Sequence, residues 1–294
     1  IFGGFQKLFS LYNKNNEIFD KFLNRISLII VDEAHKVLAP TYQKLTNKFT
    51  YSNGCLIGLT ATPGRSKDDI FENKKLAEYF FNKKISINAP KNRSVIKYLK
   101  VENILSYAKF ESLVTSINID LDRSQLDYLE NKFDFSPGFL FKLGNNQVRN
   151  IEILEKLFEY LKTGKQTLFF ATSVEQSKFI NSVITYFNYN SCHIDGSTNK
   201  GTREQNINKF KNNELQIICN YGVLATGFDA PKTELVFIAR PTTSIVLYSQ
   251  MIGRGLRGPK MGGAAESEVI EFSDAVSISK DSAEVYRHFD GYWS

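Results

Sequence analysis

Cysteine, histidine, methionine and tryptophan are scarce in this sequence, with three, three, two and one among 294 residues. Cys55, Cys192 and Cys219 are isolated and odd in number, and no C-x-x-C pair occurs. A disulfide scaffold and a Cys/His zinc site are thereby excluded, and the thiols read as small core residues. No stretch approaches the ~18 uninterrupted apolar residues of a membrane span. The first twenty residues combine neither a basic start nor a long apolar run, so no secretory signal is read in them and the cytoplasm is the expected location. Repeats of fixed period are absent as well, and no tract is of low complexity beyond a general abundance of Asn and Lys.

What is present is an ordinary globular composition, 42% hydrophobic and 23% charged, far from the polar, aromatic-poor signature of disorder. At about 150 residues per domain, the length predicts two domains. The net charge of +6 is unevenly placed: residues 1–100 carry 17 basic and 8 acidic side chains, residues 101–294 carry 20 and 23. A local basic field attracts polyanions and steers their approach, which makes nucleic acid a reasonable partner; a lysine-rich solvated surface is the bland alternative.

Short apolar runs rich in Val, Ile and Phe read as buried strands at residues 27–31, Cys55–Leu59, Thr167–Phe170, 216–219 and 234–238. Helix-compatible segments such as 67–81 and 175–187 separate them. The alternation predicts an α/β protein whose parallel sheets are covered by helices. The strands form two groups, which gives two lobes over residues 1–97 and 149–294. Residues 98–148 pattern less regularly and read as an inter-lobe helical linker or insertion, with one helix over 123–133, a turn at Pro137-Gly138 and a second helix over 145–162.

Asp32-Glu33-Ala34-His35 immediately follows the run Leu28-Ile29-Ile30-Val31. Ligands gather beyond the carboxyl ends of strands in open α/β sheets, so two adjacent carboxylates there are placed for work. One can hold Mg²⁺ through its water shell and the other can orient or deprotonate a water for attack on a phosphoryl group. An acidic helix start stabilised by the helix dipole is the plainer reading of the same residues.

The next strand runs straight into Thr60-Ala61-Thr62-Pro63-Gly64-Arg65. Together the two segments resemble the superfamily 2 helicases and translocases, in which a DEAH-type box is followed by an S/T-A-T motif. The resemblance implies that Asp32 and Glu33 serve Mg²⁺ and water activation, and that His35, Thr60 and Thr62 connect a nucleotide site to nucleic acid. Turn and cap chemistry is the alternative for both threonines. In the second lobe, Ala171-Thr172-Ser173 and Gly222-Val223-Leu224-Ala225-Thr226-Gly227-Phe228-Asp229 resemble the family's motifs IV and V. That likeness implies backbone contacts from Thr172, Ser173 and Thr226, although Ser and Thr at helix starts also serve as N-caps. Gly227 permits close backbone approach to a ligand, and Asp229 offers an acceptor for ribose hydroxyls or a partner for an arginine. His193 and Asp195 read as minor contributors outside the catalytic set.

Gln250-Met251-Ile252-Gly253-Arg254-Gly255-Leu256-Arg257 matches the family's Q-x-x-G-R-x-x-R motif VI. The resemblance implies catalytic roles for Gln250, Arg254 and Arg257, since planar guanidinium groups suit the charge spread over a transferring phosphoryl. On a helix, arginines three apart share one face. Flanking residues, Arg240-Pro241-Thr242-Thr243-Ser244 and Gly258-Pro259-Lys260-Met261-Gly262-Gly263, resemble a narrower group akin to restriction-enzyme helicase subunits and to XPB-like and RadD-like DNA translocases. The implied fold is a pair of RecA-like lobes, the cofactors ATP and Mg²⁺, and the partner a nucleic acid, DNA favoured over RNA, with a nuclease or other defence or repair subunit as a further partner and no membrane.

Family members carry a phosphate-binding G-x-x-x-x-G-K-[ST] upstream of the acidic box. Here 31 residues precede Asp32, Gly3-Gly4 is followed by Phe5-Gln6-Lys7, and the one Gly-Lys pair, Gly164-Lys165, continues with Gln166 in the other lobe. With Ile at residue 1, the expectation is an N-terminally truncated first lobe with exposed sheet edge and apolar surface, from a motor whose nucleotide grip is lost in this piece. The second reading is a catalytically inactive remnant that clamps nucleic acid or a partner protein.

Overall fold

The computed structural model describes residues 3–14, 16–50, 54–64, 70–90, 94–117, 121–132, 134–224, 230 and 232–272. Described residues up to Ser86 form one compact unit and those from Ile87 a second. The division falls eleven residues before the boundary expected at residue 97.

In the first unit, helices α1 (Phe5–Lys14) and α2 (Asn16–Leu23) precede strand β1 (Leu28–Asp32), and helix α3 (Pro40–Thr50) leads to strand β2 (Cys55–Leu59) and helix α4 (Ile70–Tyr79). Pro40 opens α3 at the first helical position, where its missing N–H costs nothing. The two strands pair in parallel, Leu28 opposite Cys55 and Asp32 opposite Leu59. Their period-2 alternation turns Ile29 toward a core of Phe19, Leu23, Leu45 and Phe49 under α1–α3. The other face carries Leu28, Ile30, Ile57 and Leu59, all exposed. These strands were expected to be buried; they are covered on one face by the described residues, and the expected exposed apolar surface is this second face.

Gly58 is one tight point of this unit. A Cβ there would lie 2.6 Å from the Phe80 ring and 2.7 Å from the Ala34 Cβ, so only glycine lets β2 pass under the turn that follows β1.

In the second unit, strands β3 (Tyr107–Leu113), β4 (Thr167–Phe170), β5 (Ser191–Ile194), β6 (Ile217–Asn220), β7 (Leu235–Ile238) and β8 (Glu266–Phe272) form one sheet in the order β3-β8-β7-β4-β6-β5. Every neighbouring pair is parallel. Helices α5 (Val95–Val101), α6 (Arg123–Lys132), α7 (Pro137–Gly144), α8 (Gln147–Leu161), α9 (Val174–Tyr186), α10 (Lys200–Lys211) and α11 (Ile245–Ile252) complete the alternation. The central strands β4, β6 and β7 are buried at every position, as parallel strands covered on both faces must be. Their residues Phe169, Ile217, Cys219, Leu235 and Phe237 pack with Ile153 and Leu157 of α8 and Ile180 and Ile184 of α9.

Residues 98–148 are not purely helical. Tyr107-Ala108-Lys109-Phe110-Glu111-Ser112-Leu113 forms β3 and pairs along its whole length with β8. Pro137-Gly138, expected to be a turn, begins α7 instead: Ser136 accepts a hydrogen bond from Phe139 N at 3.1 Å, and Pro137 occupies the first turn, where proline is favoured.

Two glycine substitutions read this packing directly. Gly58→Ala is expected to lower the stability of the chain in urea by about 1–3 kcal/mol through overpacking. Gly138→Ala, with nothing within 4 Å of the added methyl, is expected to raise it by about 0.5–1 kcal/mol through helix propensity. Equal effects from the two would contradict this account.

Candidate functional site

The parallel pairing of β1 and β2 sends both downstream turns out of the same end of the sheet. At the end of β1, Glu33 adopts a left-handed backbone (φ 51°, ψ 48°), a conformation that costs a non-glycine residue roughly 1–2 kcal/mol. It lets the chain drop at once into a 3-10 turn, Ala34–Lys36, whose Ala34 and His35 are buried. Asp32 stays exposed, and its Oδ1 accepts the Glu33 amide at 2.9 Å.

His35 ties this acidic turn to the one after β2. Its Nδ1 lies 3.2 Å from Thr60 Oγ1 and 3.3 Å from Glu33 Oε2. A carboxylate can only accept, which assigns the proton to Nδ1. Thr60 Oγ1 then accepts from His35 and donates to Thr62 O at 2.9 Å, while the Thr62 amide donates back to Thr60 Oγ1 at 3.1 Å. The expected turn chemistry of Thr60 and Thr62 is present together with a physical link to His35. Thr62 itself is buried.

Among the described residues no three His, Cys, Asp or Glu side chains converge as a metal cage. Mg²⁺ does not need one, because it is usually held by one or two carboxylates with waters and substrate phosphates. The exposed Asp32 carboxylate beside Glu33 fits that donor set.

In the second unit, Thr172 and Ser173 stand at the carboxyl end of β4. The Thr172 amide and hydroxyl both donate to Gln176 Oε1, the amide at 2.7 Å. Gln176 Nε2 donates to Asn150 Oδ1 at 2.8 Å, and Ser173 Oγ caps α9 by accepting from Gln176 N at 3.1 Å. The capping alternative therefore describes the Ser173 hydroxyl, whereas the Thr172 hydroxyl is spent on the Gln176 side chain. Thr226, Gly227 and Asp229 lie outside the described residues.

His193 bridges Ser177 Oγ, 2.7 Å from its Nδ1, and Asp195 Oδ2, 3.1 Å from its Nε2. Ser177 is fully buried, so its hydroxyl is not presented to solvent. Asp195 instead builds a loop: its Oδ1 accepts from Ser197 N, Ser197 Oγ and Thr198 N at 2.7–3.0 Å. Burial opposes its charge, yet the Ser197 hydroxyl, His193 and the Ser197 amide together hold its carboxyl below the usual range.

Gln250 sits in the last turn of α11, which ends at Ile252 with Gly253 as its C-cap. Arg254 and Arg257 therefore do not share a helix face. Gly253 and Gly255 are poor helix material, and Gly255 has no room for a side chain, since a Cβ would lie 2.6 Å from Val236 Cγ2. Arg254 falls in the turn and Arg257 in an extended segment paired with Leu105. Burial alone lowers the Arg257 pKa, and the group remains a cation at any ordinary pH.

Comparison with known proteins agrees with this arrangement. The family described as type III restriction enzyme, res subunit, matches residues 1–65, and the helicase conserved C-terminal domain matches residues 149–258. Together the two matches span more than half of the chain. These matches support a member of the superfamily 2 helicase family. A Saccharomyces cerevisiae protein named as an ATP-dependent helicase, IRC3, is 28% identical over 266 residues, covering 88% of this chain and 36% of that protein. The chain spans less than half the length of each curated relative that it matches. A fragment of a type I restriction enzyme HsdR subunit from Vibrio vulnificus shares the fold at a TM-score of 0.62, with 19% identity over 90% of this chain and 47% of that one. The DUF1998 helicase MrfA, solved with DNA and AMPPNP, does so at 0.60, with 15% identity over 97% of this chain and 35% of that one. The fold is thus a mixed α/β helicase fold with parallel sheets, RecA-like, its first unit small.

The left-handed Glu33 gives a direct test of the acidic turn. Glu33→Ala is expected to be less stable in urea than Glu33→Gly by about 1 kcal/mol, because both lose the carboxylate and only glycine relieves the backbone. Equal stability, or a more stable alanine variant, would show that the turn is not held in this conformation.

Proposed function

We propose that this chain is part of an ATP-dependent nucleic-acid helicase or translocase that works in the cytoplasm, with DNA as the favoured track. The observation that carries the reading is the linked pair of turns at the carboxyl end of β1 and β2, where Asp32, Glu33 and His35 meet Thr60. In this reading Asp32 holds Mg²⁺ through water, and Glu33 orients and deprotonates the attacking water. Mg²⁺ supplies Lewis-acid neutralisation of phosphate charge when bound. His35 passes the state of the acidic turn to Thr60 and Thr62, whose loop borders the nucleic-acid track.

Gln250, Arg254 and Arg257 contribute positive charge and hydrogen bonds to the transferring phosphoryl group, and Gly227 and Asp229 hold the nucleoside. In this reading Ser173 and Thr226 border the sugar-phosphate backbone, and the fully buried Thr172, its hydroxyl held by Gln176, supports that edge from within. Backbone contacts carry little base identity, so preference between DNA and RNA rests on likeness to the DNA-translocase group and to neighbours solved with DNA. A nuclease or other defence or repair subunit is the expected companion, from the likeness to restriction-enzyme subunits.

One observation favours a second reading. The 294 residues contain no G-x-x-x-x-G-K-[ST], so the lysine and amide cradle for the β and γ phosphates has no counterpart in them. The chain would then act as a passive clamp on nucleic acid.

ATP turnover stimulated by duplex DNA, single-stranded DNA and RNA separates the two, measured on this chain and on any longer protein that contains it. Arg254→Ala and Glu33→Gln are each expected to lower stimulated turnover by about 10²-fold or more while nucleic-acid binding persists. Turnover unaffected by either variant would overturn the motor reading, and binding without turnover in every form would support the clamp.

A further inference from the structure

The loop that carries Arg254 and Arg257 is held by a part of the chain about 150 residues away in sequence. After α5, the turn beginning at Asn103 (φ 57°) brings residues 103–106 alongside residues 255–260. Ser106 N donates to Leu256 O at 3.0 Å, Gly258 N to Ile104 O at 2.9 Å, and Lys260 N to Asn103 O at 2.9 Å. Leu105 and Arg257 thus face each other as an antiparallel pair between two hydrogen bonds, the position in which opposed side chains come closest.

Ser106 adds a side-chain anchor and is fully buried. Its Oγ lies 3.2 Å from Gly255 O and 2.7 Å from Ser267 Oγ of β8. A carbonyl only accepts, so Ser106 donates to Gly255 and Ser267 donates to Ser106. The fit leaves no slack: a Cβ on Gly258 would lie 2.5 Å from Asn103 O and 2.8 Å from the Leu105 carbonyl carbon.

We propose that Ser106 is a positioning residue for the arginine loop, fixing through Gly255 and the Leu105–Arg257 pair the register in which the two arginines are presented. This rests on the motor reading above for its effect on turnover. Ser106 lies in a stretch of otherwise ordinary sequence, and the α5 turn that it closes is the first element of the second unit, so the arginine loop is braced from the unit's entry point as well as from β8.

Two measurements on Ser106→Ala test the proposal, amide hydrogen exchange and nucleic-acid-stimulated ATP turnover, with Arg257→Ala as reference. Exchange at Gly258 is expected to rise about tenfold while the amides of β4 and β6 keep their protection, because a buried carbonyl loses its donor. Turnover is expected to fall about tenfold or more in kcat with KM for ATP changed less than about twofold, as for a displaced catalytic group. Gly258→Ala, which pushes the same contact apart from the other side, is expected to act in the same direction, and it keeps the test available if Ser106→Ala fails to fold. Unchanged exchange at Gly258, or faster exchange with wild-type kcat where Arg257→Ala abolishes turnover, would overturn the proposal. If Arg257→Ala leaves turnover intact, the motor reading fails, and exchange at Gly258 still decides whether Ser106 fixes the loop.

Discussion

Asp32 faces Leu59 at the carboxyl end of a parallel strand pair, and the arrangement of the first unit's turns depends on that register. Because both strands run the same way, the turns that follow them emerge side by side, and a buried histidine can reach from one to the other. A shift of one residue would move every side chain to the opposite face and separate His35 from Thr60. Two local sacrifices keep the register usable. Glu33 accepts a left-handed backbone, and Gly58 gives up a side chain so that β2 can pass close to Ala34 and Phe80. Strain of this kind persists where surrounding structure over-determines it, and it gathers at working sites.

The second unit solves the same problem with buried polar contacts. Its strand ends are held by Gln176 and Asn150 under Thr172, by Asp195 within its own loop, and by Ser106 and Ser267 behind Gly255. Satisfied networks of this type fix one arrangement, because leaving any member unpaired costs the desolvation of a buried group. The arginine loop therefore behaves as part of the packed sheet edge, although it contains three glycines within six residues, Gly253, Gly255 and Gly258.

The strands that carry the motifs were legible in the sequence because they are continuous apolar runs, and β1, β2, β4, β6 and β7 stand within a residue of their expected positions. Strands β3, β5 and β8 were not, because Tyr107-Ala108-Lys109-Phe110-Glu111-Ser112-Leu113, Ser191-Cys192-His193-Ile194 and Glu266-Ser267-Glu268-Val269-Ile270-Glu271-Phe272 mix polar with apolar residues and lack a continuous apolar block. β3 and β5 are edge strands, where such polarity is tolerated. The acidic turn and the paired threonines could be found from order and spacing. The link through His35 could be placed only once the register was known. The helix expected under Arg254 and Arg257 failed for a local reason, the cost of Gly253 and Gly255, and the partner that replaces it, the Asn103–Ser106 turn, carries no sequence signal of its own.

The claim on which the rest hangs is that the acidic turn and the threonine turn act as one unit through His35. A double-mutant cycle between His35→Ala and Thr60→Val, read in nucleic-acid-stimulated ATP turnover, tests it most directly. If the two turns are coupled, the double variant loses no more than the more severe single variant, giving an interaction of about 1 kcal/mol or more. Losses that simply add would contradict the account.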